Sequence, residues 1–165
     1  MTAGGDMQAR YDWDLYADSP GVPSAERMRR GPVAVVECIE EIPCDPCETG
    51  CAQGAITIGT PITRIPHLDE ELCTGCGHCI AVCPGQAIFV VDMSLPDGKA
   101  TVSVPYEFLP LPEKGQTVTA LDRSGTSVGE AEVVRVADPK AYDHTPVVTL
   151  RVPVEAAMVV RHCRA

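Results

Sequence analysis

Basic residues are nearly missing from the middle of this chain: between Pro32 and Gly98, Arg64 stands alone against ten acidic side chains. Such a segment repels nucleic-acid phosphates and anionic lipid headgroups, so nucleic acid is not an expected partner. No apolar run approaches the roughly 18 to 20 residues that a membrane span needs. The first thirty residues also lack the apolar stretch of a signal peptide, because Asp6, Asp12, Asp14, Asp18 and Glu26 are interspersed there with Arg10, Arg27, Arg29 and Arg30. A cytoplasmic chain without a membrane span is therefore expected. No G-x-G-x-x-G follows a strand-like run, no phosphate-binding loop is present, and no nucleophile stands at motif spacing from a base. The chain is not expected to turn over an organic substrate alone.

Cysteine, by contrast, is abundant. There are nine, and eight lie between Cys38 and Cys83. Thiols this dense without a secretion signal point to metal rather than to disulfides. The net charge of −10 falls mostly on the same segment, since the residues from Lys99 onward are balanced. That acidity reads either as a solvated face or as a docking face for a more basic redox partner. Cys73 to Pro84 reads C-x2-C-x2-C-x3-C-P. At this spacing three thiolates on a Gly-bearing loop converge on one face of an iron–sulfur cubane, while the fourth points elsewhere.

The motif is one half of a repeat. Cys44, Cys47 and Cys51 recur 32 positions later as Cys76, Cys79 and Cys83, and Ala55-Ile56 recurs as Ala87-Ile88. Each half reads as a cysteine loop, a short helix around its last Cys and a short apolar strand. Cys38 breaks the arithmetic, because its counterpart Cys73 lies 35 residues on, so the first loop is widened to C-x5-C. Paired C-x2-C elements also build zinc sites, normally as two well-separated pairs. Three cysteines within eight residues, occurring twice, suit a cubane better. Cys163 stands apart and reads as a non-ligating thiol. His78 reads as a loop residue, and His67, His144 and His162 as structural.

Across about residues 33–92 the chain resembles the bacterial two-cluster ferredoxins. The resemblance implies two [4Fe–4S] clusters with crossed ligation: Cys38, Cys44, Cys47 and Cys83 on one, and Cys73, Cys76, Cys79 and Cys51 on the other. Ile42, Ile56, Ile80, Ile88 and Val90 would shield them from water. The chain departs from that pattern at Ala52, where a Pro would follow the fourth Cys, and in the widened Cys38 loop.

The flanks differ. Tyr11 to Tyr16 concentrates the only Trp, Trp13, in an acidic arm suited to a partner surface. Beyond Gly98, runs rich in β-branched residues predict strands over 100–108, 116–121, 127–137 and 147–152, with a bulge at Gly129, and a helix over 154–162. The expected fold is α+β: an extended arm over 1–31, a dicluster ferredoxin domain over 32–98, and a small SH3-like β-barrel with a C-terminal helix over 99–165. More loosely, Glu37 to Cys44, Ala87 to Asp92 and Tyr106 to Gly115 resemble the small ferredoxin-type subunits of FAD-dependent amino-acid and amine dehydrogenases, relatives of proline, opine and sarcosine dehydrogenases and cyanide synthase. That likeness implies FAD in flavoprotein partner subunits of a hetero-oligomer. The expected role is relaying single electrons between that flavin and an acceptor. A freely diffusing two-cluster ferredoxin and a zinc-stapled interaction module are the alternatives.

Overall fold

A computed structural model describes residues 15–165. The aromatic residues Tyr11 and Trp13 lie outside the described residues. Among the described residues three short α-helices, α1 (Ala25–Met28), α2 (Pro46–Thr49) and α3 (His78–Val82), accompany nine strands. The strands are β1 (Val33–Val36), β2 (Ile56–Thr57), β3 (His67–Leu68), β4 (Ile88–Asp92), β5 (Lys99–Pro105), β6 (Thr117–Leu121), β7 (Ser127–Ala137), β8 (Val147–Pro153) and β9 (His162–Arg164). Seven form one antiparallel sheet in the order β1-β4-β5-β8-β7-β6-β9, while β2 and β3 pair as a separate ribbon.

The sequence explains which strands are covered on both faces. All four residues of β1 are buried, and so are Ile88 to Val91 of β4. Such unbroken apolar runs mark strands with no solvated side. In β5 and β8 burial alternates along the chain, as in a half-solvated sheet. The predicted bulge is present: Gly129, at φ +129°, lies where the β6–β7 register shifts between Ala120 and Leu121.

Two expectations about the C-terminal part need correction. The strands do not close into an SH3-like barrel. Closure would require β9 to return to β5, but the outer edge of β5 is taken by β4, through pairs such as Val91 with Val102. The sheet is therefore open, with β1 and β9 at its edges, and strands from both sides of Gly98 share it. Nor does a helix run over 154–162. A single 3-10 turn at Val154–Ala156 is followed by β9, which pairs with β6. The strand wins because it buries Val160 and Cys163 and pairs backbone groups with β6, whereas Val154, Val159 and Val160 are weak helix formers.

Residues 15–31 lie against the rest of the chain. Gly21 O accepts from Val36 N–H at 2.9 Å and Pro20 O from Leu68 N–H at 2.9 Å. Ser24 caps α1, its Oγ accepting from Arg27 N–H at 3.1 Å. Arg27 then reaches back, donating to the carbonyls of Glu70 (2.8 Å) and Cys73 (2.7 Å). This segment thus holds the loop that begins the second cysteine motif.

Candidate iron–sulfur site

Two voids lie against one face of the β1–β4 pair. Cys51, Cys73, Cys76 and Cys79 line the first, about 350 Å³ counting the space open to solvent, together with Ala34, Ile56 and Val90. Cys38, Cys44, Cys47 and Cys83 line the second, about 370 Å³ on the same count, with Val36, Ile42 and Ile88. The strand register explains the two positions. Ala34 pairs with Val90, and two residues along, Val36 pairs with Ile88, so the voids sit at successive rungs of the same face.

The crossing follows from the short helices. Cys47 lies in α2 and Cys51 just beyond its Gly50 cap, while Cys79 lies in α3 and Cys83 caps its end. The two helices touch at Gly50, where a Cβ would come within 2.9 Å of Pro46 O and 3.1 Å of Val82 Cγ2. Each helix therefore keeps one thiol on its own side and delivers the last one across the seam.

Backbone N–H groups meet the sulfurs in a repeated pattern. Ala55 N–H donates to Cys51 Sγ at 3.3 Å, and Ala87 N–H to Cys83 Sγ at 3.5 Å. The recurring Ala is thus a small residue that brings its amide up to the fourth thiol of its own motif. The Ile after it is buried in both copies. Ala34 N–H adds a bond to Cys73 Sγ at 3.3 Å. Such bonds favour a thiolate and help to set the potential of a cluster it holds. The second loop is also pressed against the chain before β1: Gly75 has φ +67°, and a Cβ there would meet Pro32 backbone atoms at 2.6 Å.

Electrostatics separates Cys38, Cys47 and Cys79 from Cys163. Burial pushes the Cys79 thiol up to about 12, and Cys73, Cys76 and Cys51 push the same way. Burial likewise raises Cys47 to about 11, reinforced by Cys83, Cys38 and Cys44, and it raises Cys38 beside Cys83 and Cys44. Thiolates gathered this closely repel one another and need cationic metal to ionise together. Cys163 is also raised to about 11, but by burial alone, with no cysteine beside it. Among the described residues no three His, Cys, Asp or Glu side chains are gathered tightly enough for a single metal ion. The eight thiols line two separate spaces instead.

Of the expected shielding residues, Ile56, Ile80, Ile88 and Val90 are buried, but Ile42 is 47% exposed because the widened loop carries it outward. Cys76 is the exposed thiol of the set. His78 lines the void with Cys76 and packs against Tyr142 at 5.9 Å between ring centroids. On the opposite face of β1–β4, past Val36, Glu37 is buried between two arginines. Its carboxylate accepts from Arg161 Nε at 2.8 Å and Arg123 Nε at 2.7 Å. Sequence reading missed this cluster, as it missed Arg27. Three charges scattered over the chain carry no local signature.

The 4Fe-4S binding domain family matches residues 66–89, a span that includes the whole second cysteine motif. The spacing, the thiol-lined voids and this match support a ferredoxin-type 4Fe-4S site in this chain. Among its relatives is a subunit of the ion-translocating oxidoreductase complex of Methanosarcina acetivorans, 45% identical over 56 residues, which are 34% of this chain and 19% of that protein. Protein Pixie of Drosophila melanogaster is 30% identical over 83 residues, 47% of this chain and 13% of its own. The ferredoxin-type protein NapF of Escherichia coli is 37% identical over 51 residues, 30% and 31% of the two chains. The chain thus spans less than a third of the length of each. No solved structure matches it. Among the described residues no helix is long and apolar enough to cross a membrane.

Proposed function

We propose that this chain is the electron-transfer subunit of a heteromeric, FAD-dependent amino-acid or amine dehydrogenase. It carries two [4Fe–4S] clusters, one on Cys38, Cys44, Cys47 and Cys83, the other on Cys51, Cys73, Cys76 and Cys79. The observation that carries the reading is the sorting of eight thiols into two groups of four, each with one member from the other motif. The donor set fits: soft thiolates, N–H groups aimed at three sulfurs, and buried Ile56, Ile80 and Ile88 to exclude water. When bound, a cubane takes and gives one electron at a time, which connects the electron pairs of a flavin to a one-electron acceptor. The chain's residues do the rest: they hold, shield and hydrogen-bond the sulfurs.

The flavoprotein partner rests on the likeness of Glu37 to Cys44, Ala87 to Asp92 and Tyr106 to Gly115 to dehydrogenase small subunits. The Methanosarcina relative is itself part of a complex, which agrees with a hetero-oligomer. Residues 32–98 form the dicluster part and 99–165 an adaptor, and the complex works in the cytoplasm. The exposed Glu40 and Glu41 on the widened loop suit a basic partner surface. Purification from the native host should give eight irons and matching acid-labile sulfide per chain, with a flavin-bearing subunit at fixed stoichiometry. A lone two-cubane monomer would mean a free ferredoxin. A colourless, zinc-containing protein would mean an interaction module.

Gly75→Ala tests the ring directly. The left-handed backbone costs an L-residue about 1–2 kcal/mol, and the new methyl strikes Pro32. Cys73 and Cys76 flank that position, so iron should fall towards half the wild-type content while the cluster on Cys38 persists. Full iron in this variant contradicts the assignment.

A further inference from the structure

Arg64, the lone basic side chain between Pro32 and Gly98, belongs to only one of the two cluster sites. It lines the void of Cys38, Cys44, Cys47 and Cys83 and not the other. The loop between β2 and β3 carries it there, and that loop is tied to the first cysteine motif. Glu48 of α2, next to Cys47, accepts from Ile58 N–H and Gly59 N–H, both at 3.0 Å. Arg64 N–H then closes a turn on Pro61 O at 3.1 Å. Pro66, two residues further on, is buried and lines the same void. Among the described residues no carboxylate forms an ion pair with Arg64, and its side chain donates no hydrogen bond.

We propose that Arg64 is the counter-cation of the cluster on Cys38, Cys44, Cys47 and Cys83. Its charge raises the reduction potential of that cluster, and does so more than for the cluster on Cys51, Cys73, Cys76 and Cys79. The inference rests on the two-cluster reading above. Four thiolates leave a cubane anionic and the electron it accepts adds to that charge, so a cation beside it favours the reduced form. Because Arg64 lines the void, its guanidinium lies within one side-chain length of that cluster. Coulomb attraction falls with distance, so the cluster at the other void gains less. Glu40 lines the same void and acts with the opposite sign, as does Glu48 at the root of the loop. The contribution of Arg64 does not depend on their sum: it is the change that follows when its charge alone is altered. Arg64 is exposed, so dissolved ions screen it and its contribution varies with salt. It is a positioning residue for the electron, not a ligand.

Redox titration of the holoprotein at low ionic strength, followed by EPR and with cysteine β-proton shifts assigning each potential to its cluster, tests this. Arg64→Lys keeps the charge and should hold both potentials near wild type. Arg64→Met should lower the Cys38 cluster, and Arg64→Glu should lower it further, each with a smaller change at the other cluster. The gap between wild type and Arg64→Glu should narrow as salt is added. A purely structural role would follow side-chain shape and give no such order by charge. Unmoved potentials, equal shifts at both clusters, a lysine variant that shifts as far as the methionine one, or a gap indifferent to salt overturn the proposal while leaving two clusters in place. A wild-type protein with fewer than two cubanes overturns the two-cluster reading itself, and this inference with it.

Discussion

Cys79→Ala is expected to remove about half of the bound iron and to destabilise the whole cysteine region, not only the second motif. Cys79 is 7% exposed and belongs with Cys51, which comes from the first motif. On the proposed ligation, its loss therefore releases a tie between the two halves of the repeat. Structural metal binding is worth on the order of 10–16 kcal/mol in small zinc domains, against a typical net domain stability of about 5–15 kcal/mol. One lost cluster can thus outweigh everything else that holds α2 against α3. The measurements are iron and sulfide per chain, visible absorbance and the denaturant midpoint. Cys163→Ser is the control: the thiol is buried in β9 far in sequence from the motifs, and its replacement should leave the visible spectrum unchanged. An alanine variant with full iron, or a serine variant that bleaches, would reverse the roles given to these two cysteines.

That the thiols gather was legible in the sequence because cysteine spacing acts locally. Residues three apart on a loop converge wherever the loop is placed, and the repeat offset reveals the second set. The recurring Ala-Ile was visible as a pattern, but its reason, an amide donated back to the fourth Cys, needed coordinates. The strands after Gly98 were likewise legible from their β-branched alternation. Their arrangement was not, because strand order depends on which edge is free. Nothing near Val102 shows that β4 already occupies the position a barrel would need. The segment after Pro153 misled for a related reason: Val154 to His162 can be written as a helix or as a turn and strand, and pairing with β6 decided it.

The least legible feature was Glu37. In sequence it is one of several acids beside the first cysteine, indistinguishable from Glu40 and Glu41. Its partner Arg161 is 124 residues away, next to a histidine near the terminus. Both look like surface charges, and only the fold makes them a buried pair. The cluster also explains how the C-terminal strand is held to the cysteine region. Arg161 N–H donates to Leu121 O at 2.9 Å at the start of β9, while its side chain anchors to β1's continuation.

Glu37→Ala should therefore cost far more than its neighbours' replacement, about 3–5 kcal/mol, the range for breaking one partner out of a buried ion pair. The pair itself is not the source of that figure, since desolvation offsets much of its attraction. The cost comes from leaving the guanidinium groups of Arg161 and Arg123, whose side chains are 3% and 8% exposed, without the carboxylate they share. Burial already pulls Arg161 down to about 10, but it remains a cation at neutral pH. Arg161→Met, which leaves Glu37 paired with Arg123, should be milder than Glu37→Ala. Alanine at Glu40, exposed on the widened loop, should change stability by less than about 0.5 kcal/mol. Denaturant unfolding of the holoprotein, with iron content checked for each variant, ranks the three. A Glu37→Ala variant as stable as Glu40→Ala would show that the buried charges do not tie β9 to β1, and that burial of Val160 and Cys163 is what holds the terminal strand.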